Sequence, residues 1–185
     1  MLPADWHVED GKTLTMQAGP ITDLFHGPRG DKSITNAPRA VFVPQEGDFL
    51  FRAKVDVAFQ ATFDAGVLLI YANDTTWAKL CLEFSPQRQP MIVSVVNRGL
   101  SDDCSSVTLE GREVYLRIAR IGRAFAFHYS TDAQVWHLVR QFTLGEPPHL
   151  RIGFLAQAPT GDGCRVNFSN IAYESKTLTD IRSGE

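Results

Sequence analysis

Between Asp48 and Gln60 the side chains alternate between apolar and polar. Phe49, Phe51, Ala53, Val55, Val57 and Phe59 fall on one side, Leu50, Arg52, Lys54, Asp56 and Gln60 largely on the other. Successive side chains of a strand point to opposite faces, so the pattern predicts a long β-strand with one face in a core. A second alternation sets Val114, Leu116 and Ile118 against Tyr115, Arg117 and Ala119. After Gly122 a third sets Phe125, Phe127 and Tyr129 against Ala124, Ala126 and His128, and the two together predict a hairpin.

Further strand candidates are residues 13–17, 39–43, 66–72, 77–84, 91–97, 136–142, 150–156 and 165–173. Turn formers separate most of them, among them Asp10-Gly11, Glu46-Gly47-Asp48, Asn73-Asp74, Ser85-Pro86 and Glu110-Gly111. No stretch of ten residues holds a helical period. Many short strands with turns and no intervening helices predict an all-β fold, a two-sheet antiparallel sandwich or a barrel, rather than a parallel βαβ sheet.

A chain of 185 residues with 44% hydrophobic and 21% charged side chains is large and apolar enough to bury a core unaided. No repeat or linker divides it, so residues 1–173 read as one domain and 174–185 as a polar tail expected to fray. The Gly-, Pro- and Asp-rich stretch His26–Pro38 reads as a functional loop.

The formal net charge of -3, without a Lys/Arg cluster, argues against nucleic acid or an anionic membrane as partner. No apolar run is long enough to span a bilayer, no secretory signal opens the chain, and a cytoplasmic location is the expectation. Cys81, Cys104 and Cys164 are odd in number and irregularly spaced, which suits reduced thiols. No Cys/His spacing suits zinc, and no cofactor motif is present.

The most informative segment is Trp77–Phe84, WAKLCLEF. As a strand it places Trp77, Lys79, Cys81 and Glu83 on one face and Ala78, Leu80, Leu82 and Phe84 on the core face. A ring, a cation and a carboxylate on one face could bind a sugar, with Trp77 as stacking platform, Lys79 and Glu83 as polar contacts, and Arg117 extending the face. The plainer alternative is an exposed face carrying a Lys79/Glu83 charge network. In Asn97–Ser106, Asp102 and Asp103 read as acids in a turn, more in keeping with turn capping than with calcium. Nucleophilic triads have no support: there is no G-x-S-x-G elbow and the five His lack diagnostic partners. Glu83 is the candidate general acid or base, but its strand offers no second carboxylate. Only folding could bring Asp23, Asp102 or Asp103 beside it.

With these segments in hand, the chain resembles a regulation-of-enolase-type family of unknown function in the concanavalin A-like lectin/glucanase superfamily. The resemblance rests on Thr22-Asp23-Leu24-Phe25, Gly47-Asp48-Phe49, Asp64-Ala65-Gly66-Val67 and on Trp77, Lys79 and Glu83. It continues through Val93–Val96, Ser101-Asp102, Leu116–Arg120, Ser130–Trp136, Gln157–Gly161 and Cys164. It implies a concanavalin A-like jelly roll with a concave face on which Trp77, Lys79 and Glu83 lie. Two departures stand out. Asp103 follows the Ser-Asp pair where some members have Trp, and Ala133 fills a turn position that would prefer Gly. The expectation is a binding module for a small carbohydrate-like ligand, with Asp102 among the contacts. The alternatives are a carbohydrate-active enzyme using Glu83 and a protein-interaction module that regulates a metabolic enzyme.

Overall fold

The alternating segment that begins at Phe49 runs through the middle of one of two antiparallel sheets, with Phe49, Phe51, Ala53, Val55 and Val57 buried. The computed structural model describes residues 2–185. In chain order the strands are β1 (Asp5–Glu9), β2 (Thr13–Ala18), β3 (Leu24–His26), β4 (Ser33–Thr35), β5 (Arg39–Phe42), β6 (Phe49–Ala58), β7 (Ala65–Asn73) and β8 (Thr76–Phe84). They continue with β9 (Pro90–Arg98), β10 (Leu100–Thr108), β11 (Glu113–Ile121), β12 (Ala124–Ser130), β13 (His137–Phe142), β14 (Arg151–Gln157) and β15 (Cys164–Glu174). A seven-stranded sheet has the order β1-β2-β15-β6-β11-β12-β13 and a six-stranded sheet the order β10-β9-β8-β7-β14-β5. The short pair β3-β4 stands apart, and no helix occurs among the described residues. The expected all-β sandwich is the fold.

The main core fills the space between the sheets. Phe51, Val55, Leu116, Ile118, Phe127, Val166 and Phe168 from one sheet meet Leu68, Ile70, Leu80, Leu82, Ile92 and Phe154 from the other. Each such side chain, once buried, contributes about 1.5–3 kcal/mol, which is why the in-out alternation fixes strand register. The sheets approach closely at Gly66 on β7, where a Cβ would lie 2.5 Å from a Val55 methyl and 2.6 Å from one of Val166. The expected hairpin is β11-β12, with Ile121 opposite Ala124 and Arg117 opposite His128.

Both outer faces are partly covered. On the six-stranded sheet Leu24 and Ala37, from the segment that holds β3 and β4, pack on Ala65, Val67, Leu69, Tyr71, Cys81, Val93, Val95 and Leu155. On the seven-stranded sheet Leu178 of the tail is buried against Leu50, Ala119 and Ala126, with Ile181 beside it. The tail expected to fray is thus docked, because its two aliphatic side chains meet an apolar strip of the sheet.

Two local expectations are corrected. Asp102 and Asp103 are not turn residues. The reversal is confined to Gly99 at φ +90°, and both acids lie in β10, opposite Val96 and Val95. The loop His26–Pro38 contains β4, which pairs back on β3.

Candidate functional site

On the outer face of the six-stranded sheet three lateral rows of side chains meet. One runs Leu69, Lys79, Val95, Asp103; the next Leu155, Val67, Cys81, Val93; the third Gln157, Ala65, Glu83, Met91. Neighbouring strands lie about 4.8 Å apart, so lateral neighbours within a row are in side-chain reach, while the first and third rows stand four residues apart along the strands. Apolar side chains supply most of the rows, and Lys79, Asp103, Gln157 and Glu83 stand among them.

The segment before β3 adds one more acid. Thr22 bridges to Ala158 through paired backbone hydrogen bonds of 3.1 Å, and its hydroxyl accepts from the Ala158 N–H. This pins Asp23 over the sheet, where the Asn36 carboxamide oxygen accepts its N–H and its own carboxylate accepts the N–H of Leu24. The Lys79 ammonium, 2% exposed, lies 3.5 Å from Asp23 Oδ1 and donates to Gln157 Oε1 at 2.9 Å. Gln157 in turn donates to the Phe63 carbonyl at 3.1 Å. The buried cation is therefore both paired and hydrogen-bonded, as burial of a charge requires.

Around Lys79 opens a cleft of about 180 Å³ lined by Asp23, Phe25, Glu83, Asp103, Gln157 and Phe63, among others. Phe63 sits at φ +71°, a left-handed conformation unusual for a bulky residue. Its N–H donates to the Phe84 carbonyl at 2.7 Å, and this bond together with the Gln157 contact holds the strained backbone in place. Burial pushes the Glu83 carboxyl up to about 7; the ammonium of Lys79 counteracts the shift and the carboxyls of Asp23 and Asp103 add to it. Near neutral pH Glu83 can therefore hold or release a proton.

The structure divides the residues named from sequence. Lys79 and Glu83 share the cleft, and folding brings Asp23 and Asp103 to them. Trp77 is no stacking platform: it is fully buried, its indole donates to the Asp74 carbonyl at 3.1 Å, and His26 packs edge-on against it. The strand alternation was right about its face, but the covering segment fills the space above the ring. Arg117 does not extend the face, because β11 belongs to the other sheet. Asp102 points away from the cleft, as its alternation with Asp103 demands, and pairs with Arg140 of β13 at 2.8 Å across the sandwich edge. Phe63 was not singled out, and Phe25 and Gln157 entered only as part of the family resemblance, not as site residues. The WAKLCLEF alternation gave one strand of the site, whereas these three come from distant segments with no spacing to mark them.

Two other depressions are lined by charges that pair with one another. Arg123 meets Glu146 at 3.1 Å in one, and Lys54 meets Glu113 at 2.9 Å in the other. Neither leaves the mixture of apolar wall and uncommitted carboxyl found over Lys79.

Comparison with known proteins places this geometry in context. A family model described as "Protein of unknown function (DUF1349)" matches residues 1–176. No curated protein matches the sequence. A functionally unknown protein from Saccharomyces cerevisiae has the same fold, with a TM-score of 0.84 at 21% identity over 95% of this chain and 94% of that one. The GH43 protein BlXynB from Bacillus licheniformis gives a TM-score of 0.74 at 19% identity, over 94% of this chain but only 35% of that one. An alginate lyase from Klebsiella pneumoniae gives 0.58 at 12% identity, over 94% and 85% of the two chains. At these identities the likeness is one of fold.

Proposed function

The chain belongs to the DUF1349 family, proteins of unknown function, and we propose that it is a binding module for a carbohydrate or sugar-like metabolite seated in the cleft over Lys79. One observation carries the reading: a buried ammonium, held by Asp23 and Gln157, floors a cleft whose walls combine Phe25 and Phe63 with the carboxyls of Glu83 and Asp103. Sugars offer apolar C–H faces to aromatic rings and hydroxyls to charged acceptors, and a few polar groups in an apolar cleft suit them. The strained backbone at Phe63 supports the same reading, since such strain gathers at ligand sites. A cleft of about 180 Å³ is below the usual range for drug-sized ligands and suits a single sugar unit better than a long chain. The structural likeness to a GH43 protein adds analogy only, because this chain corresponds to about a third of that one.

The test is a thermal-shift and calorimetric screen of the purified chain against mono- and disaccharides. Binding should raise the melting temperature, because a ligand specific to the native state stabilises it. Phe63→Ala and Glu83→Gln should remove the shift while keeping the fold. No shift with any sugar would overturn the reading.

The Glu83 carboxyl favours a second reading, catalysis with Glu83 as general acid or base, since a pKa of about 7 suits proton transfer at neutral pH. Folding supplies the further acids, Asp23 and Asp103, that its own strand lacks. Turnover of a bound glycoside, abolished in Glu83→Gln with binding retained, would select this reading over binding alone.

A further inference from the structure

We infer that the sugar taken by this cleft carries an amino group, so that the ligand is an amino-sugar cation rather than a neutral, phosphorylated or uronic sugar. The inference rests on the binding reading above and follows from which charges in the cleft are already committed.

An anionic ligand needs a cation to receive it. Lys79 is in the cleft, but its ammonium faces Asp23 Oδ1 and donates to Gln157 Oε1, and it is 2% exposed. A phosphate or carboxylate could take only the remaining N–H of an ammonium whose charge Asp23 already offsets. Lys32 reaches the rim from an exposed position, as Asp103 does, and solvent screens both charges. Against these two cations stand the carboxyls of Asp23, Glu83 and Asp103. With Lys79 set against Asp23 and the exposed Lys32 against the exposed Asp103, Glu83 is the carboxyl of the lining left without a counter-charge, and when ionised it repels an anion.

A cationic ligand meets the reverse. Among the described residues the Glu83 carboxyl takes no hydrogen bond or ion pair, although burial makes its ionised form costly. Asp103 faces the same cleft from β10, and its only charged neighbour on that strand, Asp102, points to the opposite side to meet Arg140. An ammonium against Glu83 would supply the counter-charge that this carboxyl lacks, and Asp103, two strands away on the same cleft, adds a longer-range attraction. A hydroxyl there can donate one neutral hydrogen bond, whereas an ammonium donates charge-assisted ones that are roughly twice as strong. The apolar walls at Phe25 and Phe63 remain available to the sugar ring.

The test is calorimetric titration of the full chain with matched sets: glucosamine, glucose, glucuronate and glucose 6-phosphate, and the same four in the galacto series. Ethanolamine serves as a bare-amine control. The inference expects one of the amino sugars to bind about tenfold more tightly than its hydroxyl parent. The uronate and phosphate should bind more weakly than either, and ethanolamine negligibly. Glu83→Gln, shown folded by its melting curve, should bring amine and parent to within about twofold, and Asp103→Asn should narrow the gap by less. Equal binding of amine and parent, or tighter binding of an anionic sugar, would overturn the amino-sugar assignment and leave the carbohydrate reading standing. Ethanolamine binding as tightly as the amino sugar would reduce the site to an amine trap and overturn the assignment too. Silence across both series would remove the carbohydrate reading itself.

Discussion

Lys79 and Arg117 both lie on interior strands, one in each sheet, and both point away from the main core, yet their surroundings differ in kind. Lys79 is held by a carboxylate and a carboxamide on the floor of an open cleft, with further acids left uncommitted beside it. Arg117 is roofed by the chain itself. Its guanidinium stacks 4.2 Å over the Trp136 ring and donates to the Gly184 carbonyl at 2.9 Å, without a carboxylate in ion-pair contact among the described residues. Burial lowers its pKa to about 10, so it remains charged at neutral pH. Gly184 fits the slot because a Cβ there would lie 2.5 Å from the guanidinium and 2.8 Å from the Trp136 Cβ. The surface over Arg117 is thus filled by the tail of its own chain, through Leu178, Ile181 and Gly184, whereas the surface over Lys79 keeps unfilled volume and unpaired carboxyls. That contrast is why the ligand is assigned to the Lys79 face.

The contrast can be broken most strongly at the ion pair. Asp23→Ala leaves the Lys79 ammonium buried without its carboxylate, a change expected to cost about 3 kcal/mol. Arg117→Ala removes the buried charge itself, losing an indole contact and one hydrogen bond, and is expected to cost only about 1–2 kcal/mol. Urea unfolding of the two variants measures both. Equal losses would mean that Lys79 and Arg117 are held in similar ways after all. Amide exchange adds a spatial check: Arg117→Ala should loosen residues 178–185 and leave the cleft segment around Asp23 as protected as before.

The two faces also respond to acid in opposite directions. The Glu83 carboxyl is raised by burial from its ordinary 4.5 to about 7. Between those values the folded chain binds more protons than the unfolded one, so this group makes stability fall as pH rises through that window. His128 lies beside Arg117, its Nε2 donates to the Ile181 carbonyl at 2.8 Å, and its Nδ1 is buried without a partner. A second proton would sit on that Nδ1, so burial drives its pKa from 6.5 down to about 4. Here the unfolded chain binds more protons, and stability is lost as pH falls from 6.5 toward 4. The two slopes oppose each other between about pH 4.5 and 6.5. Each is expected to amount to on the order of 2 kcal/mol, with that of Glu83 discounted for its contact with solvent. Relative to the native chain, Glu83→Gln should therefore make stability rise with pH across this window, and His128→Gln should make it fall. Two variants with parallel pH profiles would contradict the assignment of opposite signs.

How much of this could be read from sequence follows the same division. The sandwich was legible because β6, β11 and β12 each turn a row of large apolar side chains to the core, which writes a period of two into the residues. β10 was not, since an edge strand with little burial carries no such period, and its Asp102-Asp103 pair imitates a turn. Of the site, Lys79 and Glu83 were legible because β8 is buried on its core side and charged on the other. Trp77 misled because alternation reports which face a residue occupies but not what covers that face. Gln157, Phe63 and Asp23 reach Lys79 from three separate segments, and only tertiary packing brings them together. The docked tail was missed for a related reason: Leu178 and Ile181 are two aliphatic residues in a polar stretch, too few to signal burial before the strip of Leu50, Ala119 and Ala126 is known.

The smallest effect lies in the turn that delivers Trp136 to Arg117. The Ser130 hydroxyl accepts the N–H groups of Asp132 and Ala133, and the Asp132 carboxylate accepts those of Gln134 and Val135, which lowers the Asp132 pKa. These bonds hold Ala133 at φ +63°, a left-handed conformation in which a Cβ is unfavourable. This is the position where the family resemblance anticipates glycine, and the turn keeps its hydrogen bonds with alanine in place. Ala133→Gly should relieve the strain, offset in part by the greater freedom of glycine in the unfolded chain, for a net gain of about 0.5 kcal/mol. The gain belongs to the covered face alone: the melting temperature should rise slightly while ligand affinity at the Lys79 cleft stays unchanged. A change in affinity would show that the turn and the cleft are coupled through the core, and the two faces would then have to be treated as one system.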